Sequence, residues 1–157
     1  MGECGADGRH DNGEIGMIKA YRWDELKVGM EESFSVEIDQ GKMDSFMEMT
    51  SDMNPMHLDE AYAGRRGVQG KLVYGMLTAS MLSRLSGCYL PGKFSVLQSV
   101  EINFAKPVIV GDSITVIGKL IELNDTVKQA VVRIDIYNQK GEKVLRGKLK
   151  AGVQDEY

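Results

Sequence analysis

Residues 75–87 read GMLTASMLSRLSG, and they predict the element around which the rest of the chain is arranged. The glycines at its two ends and the apolar pattern between them predict a helix bounded by Gly75 and Gly87. Six apolar side chains leave the helix little polar face: Met76, Leu77, Ala79, Met81, Leu82 and Leu85. Because a helix that is apolar around most of its circumference is enclosed by other structure, we expect the rest of the chain to surround it.

The segments on either side of this helix supply a sheet that can enclose it. Residues 33–38 alternate apolar and polar side chains, the pattern of a half-buried strand, and a short helix is predicted at 39–50 with Asp39 as its cap. Four longer alternating stretches follow the apolar helix: 94–104, 113–123, 127–137 and 142–153. The turns at 123–126 and 138–141 are short enough to join antiparallel neighbours. The predicted fold class is α+β, with one antiparallel sheet wrapped around one central helix.

Length and charge restrict the domain organisation and the partners. We assign residues 1–17, rich in Gly, Asp and Asn, to a flexible tail and residues 18–157 to a single domain. A net charge of −4 argues against a nucleic-acid partner, because such affinity comes mainly from basic residues that neutralise phosphates. An open sheet leaves edge strands that two copies could cover by meeting edge to edge, so a homodimer or a dimer of dimers is expected.

Three features of the sequence favour the cytoplasm. Residues 1–16 lack the basic start, apolar stretch and cleavage site of a secretory signal. Cys4 and Cys88 form neither a disulfide framework nor a metal-ligand spacing, so both are expected to be reduced thiols. No apolar run in the chain approaches the roughly 18 residues needed to cross a bilayer, so we expect no membrane partner.

The stretch SDMNPMHLDEAYA, residues 51–63, places an acid and an imidazole close together on either side of a proline. Histidine is the side chain that both accepts and releases protons near neutral pH. A bend at Asn54-Pro55 can bring Asp52 and His57 toward one point, which a regular helix or strand would not do. Pro55 is expected to end the preceding helix, so that the motif lies on the loop leaving it. Asp52 and His57 are therefore a candidate catalytic pair, and a structural role for a lone histidine stays open.

A second candidate site lies at the start of the apolar helix. The first N–H groups of a helix have no intrahelical partner and carry the positive end of the helix dipole, so those at Gly75 could hold a negative oxygen. A plain tight turn into the helix explains the glycine equally well. An acid/base pair beside an oxyanion site is what water addition to a conjugated carbonyl, or proton removal beside a carbonyl, requires.

Residues 51–63 and VYGMLTASMLS at 73–83 together resemble the MaoC-like, (R)-specific enoyl-CoA hydratases. The motif of that family runs Asp-x-Asn-Pro-x-His, and its fold is the hot dog. The resemblance covers residues 21–153 and includes FAKPVIVGDSITV, which is similar to the family's strand with its Pro-Val and Gly-Asp turn. Two positions depart from the pattern. Many members have Gly at the position of Ser51 and His at that of Tyr74. We expect Tyr74 to change the mouth of the site.

The resemblance implies a single hot-dog domain and an enzyme that hydrates trans-2-enoyl thioesters or dehydrates (R)-3-hydroxyacyl thioesters. Asp52 and His57 would activate a water, the N–H of Gly75 would bind the thioester oxygen, and Asn54 would shape the loop. The substrate would be carried by coenzyme A or an acyl carrier protein, with no cofactor and no metal. A hot-dog thioesterase is one alternative, which the absence of a carboxylate from residues 75–87 counts against. A non-catalytic acyl-thioester-binding module is another, which the presence of both members of the acid/base pair disfavours.

Overall fold

The computed structural model describes residues 18–154, so the predicted flexible tail at residues 1–17 lies outside the described residues. Four α-helices occur in the described part of the chain: α1 Gln40–Thr50, α2 Pro55–Leu58, α3 Glu60–Arg65 and α4 Gly75–Arg84. A wider helical turn, Leu85–Tyr89, continues α4. The division into a tail and one domain of residues 18–157 stays a prediction.

Five strands form one antiparallel sheet: β1 Glu31–Glu37, β2 Ser95–Phe104, β3 Ser113–Asn124, β4 Gln129–Tyr137 and β5 Lys143–Val153. Their order across the sheet is β1-β3-β4-β5-β2. The second short turn lies where the sequence predicts it, between the end of β4 at Tyr137 and the start of β5 at Lys143. The first lies slightly later than predicted, because β3 continues to Asn124 and β4 begins at Gln129. The α+β prediction, with an antiparallel sheet and a central helix, is confirmed.

Helix α4 packs on the inner face of this sheet. Leu77, Ala79 and Leu82 of the helix belong to the same buried cluster as inward-facing residues of the strands. Strand β3 shows why, because its side chains alternate between buried and partly exposed over most of its length. The helix is not covered on all sides within one chain, since Met76 is 61% exposed.

The segment between α1 and α2 differs from the prediction. Helix α1 ends at Thr50, and Ser51 follows in the left-handed region with φ 58°. Pro55 does not end α1 but occupies the first position of α2. Proline is favoured there because an N–H at this position would have no acceptor within the helix. His57 therefore lies on a one-turn helix and not on a loop, and the prediction for Pro55 was wrong.

Strand β2 is an edge of the sheet and carries an unusual number of exposed apolar side chains. Four of them are more than two-fifths exposed: Val96 58%, Leu97 42%, Val100 41% and Phe104 53%. The opposite edge is β1, whose outward positions are mainly Glu and Ser. The two edges therefore differ in character, and only β2 offers an apolar surface along its length.

Within residues 18–154, none of the helices has both the length and the apolar character that crossing a bilayer requires.

Candidate active site

Two consecutive side-chain turns shape the loop that carries Asp52. The Oδ1 of Asp52 accepts a hydrogen bond from the backbone N–H of Asn54 at 3.1 Å. The Oδ1 of Asn54 in turn accepts from the N–H of Met56 at 3.0 Å and caps the start of α2. The side chain of Asn54 is thus turned toward the backbone, and its role in shaping the loop stays a prediction.

His57 is held by the segment that leads into α4. Its Nδ1 lies 2.7 Å from the carbonyl oxygen of Leu72. Because a carbonyl oxygen only accepts, Nδ1 must carry the proton, and in the neutral ring Nε2 is then the basic nitrogen. A second hydrogen bond, from the N–H of Leu72 to the carbonyl of Met56 at 3.1 Å, ties the same two segments together. The half-buried imidazole is therefore fixed in both orientation and tautomer.

Tyr74 lies between the two candidate catalytic residues. Its hydroxyl donates to the carbonyl oxygen of Asp52 at 2.9 Å, and its ring centroid is 4.0 Å from that of His57. Phe46 packs against the same ring at 5.0 Å. The side chain is only 2% exposed, so it lies beneath the surface of the site, and the expectation that Tyr74 changes the mouth of the site stays a prediction. Burial, with smaller contributions from the carboxylates of Asp52 and Asp44, raises the pKa of the Tyr74 hydroxyl, which stays a donor.

The start of α4 offers free backbone donors. The carbonyl of Tyr74 accepts from the N–H groups of Leu77 and Thr78 at 3.0 and 3.2 Å. The N–H groups of Gly75 and Met76 have no hydrogen-bond partner anywhere in residues 18–154. They are therefore available to an oxygen atom of a ligand, as expected for the first turn of a helix.

A cavity of about 340 Å³ opens beside Gly75. It lies between the start of α4 and the end of β2, and its walls include Gly75, Thr78 and Phe104. Neither Asp52 nor His57 lines it. The cavity therefore reaches the predicted oxyanion donor from one side. Asp52 and His57 do not contact the cavity, but both contact residues 72–74, which directly precede Gly75.

The structure brings the predicted residues to one region without joining them directly. No hydrogen bond or ion pair links Asp52 to His57, and instead each contacts Tyr74. Leu72 and Tyr74 were not identified from the sequence as holding the site. The one available signal was the departure from the family pattern at position 74. Among residues 18–154, no three His, Cys, Asp or Glu side chains are grouped closely enough to hold a metal ion.

Comparison with known proteins identifies the family. Residues 25–142 match the family model described as the MaoC like domain. The chain is 33% identical over 122 residues to an (R)-specific enoyl-CoA hydratase from Aeromonas caviae, covering 78% of this chain and 91% of that protein. It is 34% identical over 106 residues to a 3-hydroxybutyryl-CoA dehydratase from Methylorubrum extorquens, covering 68% of each. The solved structure of an unliganded R-hydratase, PhaJ1 from Pseudomonas aeruginosa, matches with a TM-score of 0.81 and 26% identity over 86% of each chain.

These similarities show that the fold is the hot dog and that the enzyme is a hydro-lyase, as predicted from the sequence. Because the family model spans most of the chain, the protein belongs to the MaoC-like dehydratase family. The reaction it catalyses is the addition or removal of water.

Proposed function

We propose that this enzyme hydrates trans-2-enoyl thioesters to (R)-3-hydroxyacyl thioesters, or catalyses the reverse dehydration, with a water activated by Asp52 and His57. The observation that carries the proposal is the hydrogen bond from His57 to the carbonyl of Leu72 at 2.7 Å. It makes Nε2 the basic nitrogen, and it ties the imidazole to the same short segment that bears the free N–H of Gly75. A base that is hydrogen-bonded to the segment bearing the oxyanion donor fits what this reaction requires.

In the proposed hydration, Asp52 and His57 hold one water molecule. His57 accepts a proton from this water as its oxygen bonds to C3, and the electrons of the C2–C3 double bond move toward the thioester oxygen. The N–H of Gly75 donates to that oxygen while it carries negative charge. The proton that His57 took from the water is then delivered to C2 from the same side, which restores the carbonyl and the resting state of the pair. Every group in this sequence is a side chain or backbone group of the chain, so no cofactor is required.

The acyl handle in this proposal is coenzyme A or an acyl carrier protein. The two relatives quoted above are named for CoA substrates, which supports coenzyme A for this chain. The apolar cavity beside Gly75 supports an extended, uncharged group next to the thioester. A role in fatty-acid metabolism follows from the substrate class. A cytoplasmic location belongs to the same proposal.

The test is the reaction of crotonyl-CoA with the purified protein. The absorbance of the conjugated enoyl thioester should fall without release of free thiol. Asp52→Asn and His57→Ala should each lower kcat by about 10² to 10⁴-fold, the usual contribution of a positioned acid/base group. Asp125→Asn is the matched control, because it removes a carboxylate from the exposed turn between β3 and β4.

Free thiol at the rate of enoyl loss would instead indicate a thioesterase. Binding of enoyl thioesters of several chain lengths without any turnover would indicate a binding module. Near-normal turnover by a folded Asp52→Asn or His57→Ala protein would contradict the proposed roles of these residues.

We also propose that the enzyme is a homodimer joined along β2. This strand is the apolar edge of the sheet, and its unpaired backbone groups can pair with the same strand of a second copy around a two-fold axis. The exposed side chains of Val96, Val100 and Phe104 would be buried by that contact. The wide exposure of Met76 at the start of α4 supports the same proposal, since a second copy can cover the free side of the helix.

Sedimentation or light scattering measures this directly. Wild type should have the mass of a dimer at micromolar concentration. Val100→Lys places a charge on the strand edge and should produce monomers. Val127→Lys is the control, because Val127 is 61% exposed in the turn between β3 and β4. A monomeric wild type, or a Val100→Lys protein that stays dimeric, would contradict the proposal.

A further inference from the structure

We propose that Tyr74 is a positioning residue that sets the distance and orientation between Asp52 and His57, with its hydroxyl acting on one and its ring on the other. The inference rests on the proposed function for its catalytic consequence and on the contacts of Tyr74 for its geometry. Tyr74 does not touch the reacting atoms. It acts through the two residues that do.

The hydroxyl of Tyr74 is the long-range anchor of an otherwise exposed loop. Asp52 and Asn54 are both exposed, and the hydrogen bonds of the Asp52 side chain and N–H stay within residues 50–54. The bond from Tyr74 to the carbonyl of Asp52 spans 22 residues and ends in the core. Without it, only local turns would determine where the carboxylate lies, and such turns leave a loop free to shift as a unit.

The ring of Tyr74 fixes the plane of the imidazole. The two rings are 4.0 Å apart between centroids and are inclined by 32°. Phe46 packs against the tyrosine ring at 5.0 Å. The tyrosine therefore has neighbours that restrict its own movement, and it can pass that restriction to His57. The hydrogen bond from Nδ1 to Leu72 defines one direction of the imidazole, and the ring contact defines its tilt.

The position of Tyr74 in the chain adds the third part of the site. It is the residue immediately before Gly75, and its carbonyl accepts the first hydrogen bonds of α4. Tyr74 therefore contacts Asp52 and His57 with its side chain, and its backbone begins α4, the helix that carries the proposed oxyanion donor. A shift of Tyr74 would move all three groups relative to one another.

Two substitutions separate the hydroxyl from the ring. Tyr74→Phe keeps the ring and removes the anchor of the loop. In this variant kcat for crotonyl-CoA should fall by about 10 to 100-fold, as for a misplaced group, with KM unchanged within about twofold. The NMR signals of the backbone amides at residues 52–54 should shift, while the imidazole ¹⁵N signals of His57 keep the pattern of a proton on Nδ1.

Tyr74→Met fills a similar volume without a flat face. Here the imidazole should tilt away from the carbonyl of Leu72 and lose the hydrogen bond that fixes its tautomer, so the His57 signals should change toward a mixture of tautomers. The kcat should fall further than in Tyr74→Phe. The chain has only one other histidine, His10, so the assignment is simple. Tyr89→Phe is the matched control: it removes a tyrosine hydroxyl that accepts a hydrogen bond from Arg84 at 3.3 Å, away from Asp52 and His57. Its kcat, amide signals and imidazole signals should equal those of wild type.

The inference is overturned if Tyr74→Phe retains wild-type kcat and wild-type amide signals at residues 52–54. It is also overturned if a folded Tyr74→Met protein keeps the wild-type imidazole signals. If Tyr74→Met does not fold, Tyr74→Phe alone decides the role of the hydroxyl. An inactive wild type would contradict the proposed function, and the NMR measurements would then decide the positioning role by themselves.

Discussion

Replacing Gly75 with alanine tests the oxyanion site with little disturbance of the fold. A Cβ built on Gly75 would lie 3.2 Å from the ring carbons Cε1 and Cζ of Phe104, which is tighter than ordinary contact by a few tenths of an ångström. The contacted atoms are at the far end of a side chain and not in the backbone, so a small turn of the ring relieves the contact. Against this small strain, alanine is favoured over glycine in a helix by roughly 0.5–1 kcal/mol. We expect the free energy of unfolding to change by less than about 1 kcal/mol, or Tm by less than about 4 °C.

The effect on catalysis should be much larger. The new methyl group lies beside the N–H that would meet the thioester oxygen, and moving that oxygen by about 1 Å can lower the rate by about 10²-fold. Loss of an oxyanion donor altogether corresponds to about 10²–10³-fold in kcat. We therefore expect kcat/KM for crotonyl-CoA to fall by about 10 to 100-fold in Gly75→Ala.

The control is Gly87→Ala, at the other end of the same helical segment, where a Cβ meets no atom within 4 Å. It should retain wild-type kcat/KM and equal or exceed wild type in Tm. The measurements are enoyl-thioester absorbance for activity and circular dichroism for unfolding. A Gly75→Ala protein that is folded and has wild-type kcat/KM would refute the assignment of this N–H, because the methyl group should displace a thioester oxygen bound there.

Three further predictions concern stability. Ser51→Gly should raise Tm by about 1–2 °C, because Ser51 has φ 58° and the left-handed conformation strains a residue with a side chain. Relief of that strain should exceed the extra entropy that glycine loses on folding. An unchanged or lower Tm would contradict this. The hydrogen bond to Glu32, with burial, raises the pKa of Tyr21 from 10.0 to about 12. As the pH rises, the unfolded state therefore loses the Tyr21 proton before the folded state does. The stability that the protonated hydroxyl contributes is complete below pH 10 and is lost between pH 10 and 12. Tm of Tyr21→Phe should fall less steeply with pH over that interval, and parallel curves would count against the assignment. Gly147→Ala should destabilise by about 2–3 kcal/mol in urea unfolding, because its Cβ would overlap the backbone oxygen of Glu101 on the neighbouring strand; a wild-type urea midpoint would show that β2 moves freely.

Hydrophobic periodicity predicted the elements of this fold because it records burial directly. Strand β3 alternates in sequence and alternates in burial, and α4 is apolar where it meets the sheet. Proline was misread at position 55 for a physical reason. Proline disfavours the helical region in the residue before it, which indicates the end of a helix, but it is also favoured at the first position of a helix. Only the cap formed by Asn54 distinguishes the two cases.

The sequence suggests the chemistry of the site, which stays a prediction, but it does not indicate how the site is held together. Asp52, Asn54 and His57 lie within one short motif, so local bending rules apply to them. Tyr74 acts across 22 residues of sequence, and no local pattern reports a contact of that separation. Its aromatic ring fits the core as well as any other apolar residue would. The sequence therefore indicates which groups can move protons, whereas their relative placement depends on tertiary contacts.

Those tertiary contacts form a continuous path from the sheet to the imidazole. The N–H of Val73 donates to the carbonyl of Val108 at 2.8 Å, and Leu72 pairs with Ile109, so the connection between β2 and β3 holds the segment before α4. That segment holds His57 through the carbonyl of Leu72. The hydroxyl of Tyr74, the next residue of this segment, ties the exposed loop with Asp52 to the same path through the carbonyl of Asp52 at 2.9 Å. Because backbone bonds join residues 72–73 to the 107–110 connection, substitution of outward side chains along these two segments should leave the site intact. Any change that separates the two segments should displace His57 and lower turnover before the sheet unfolds.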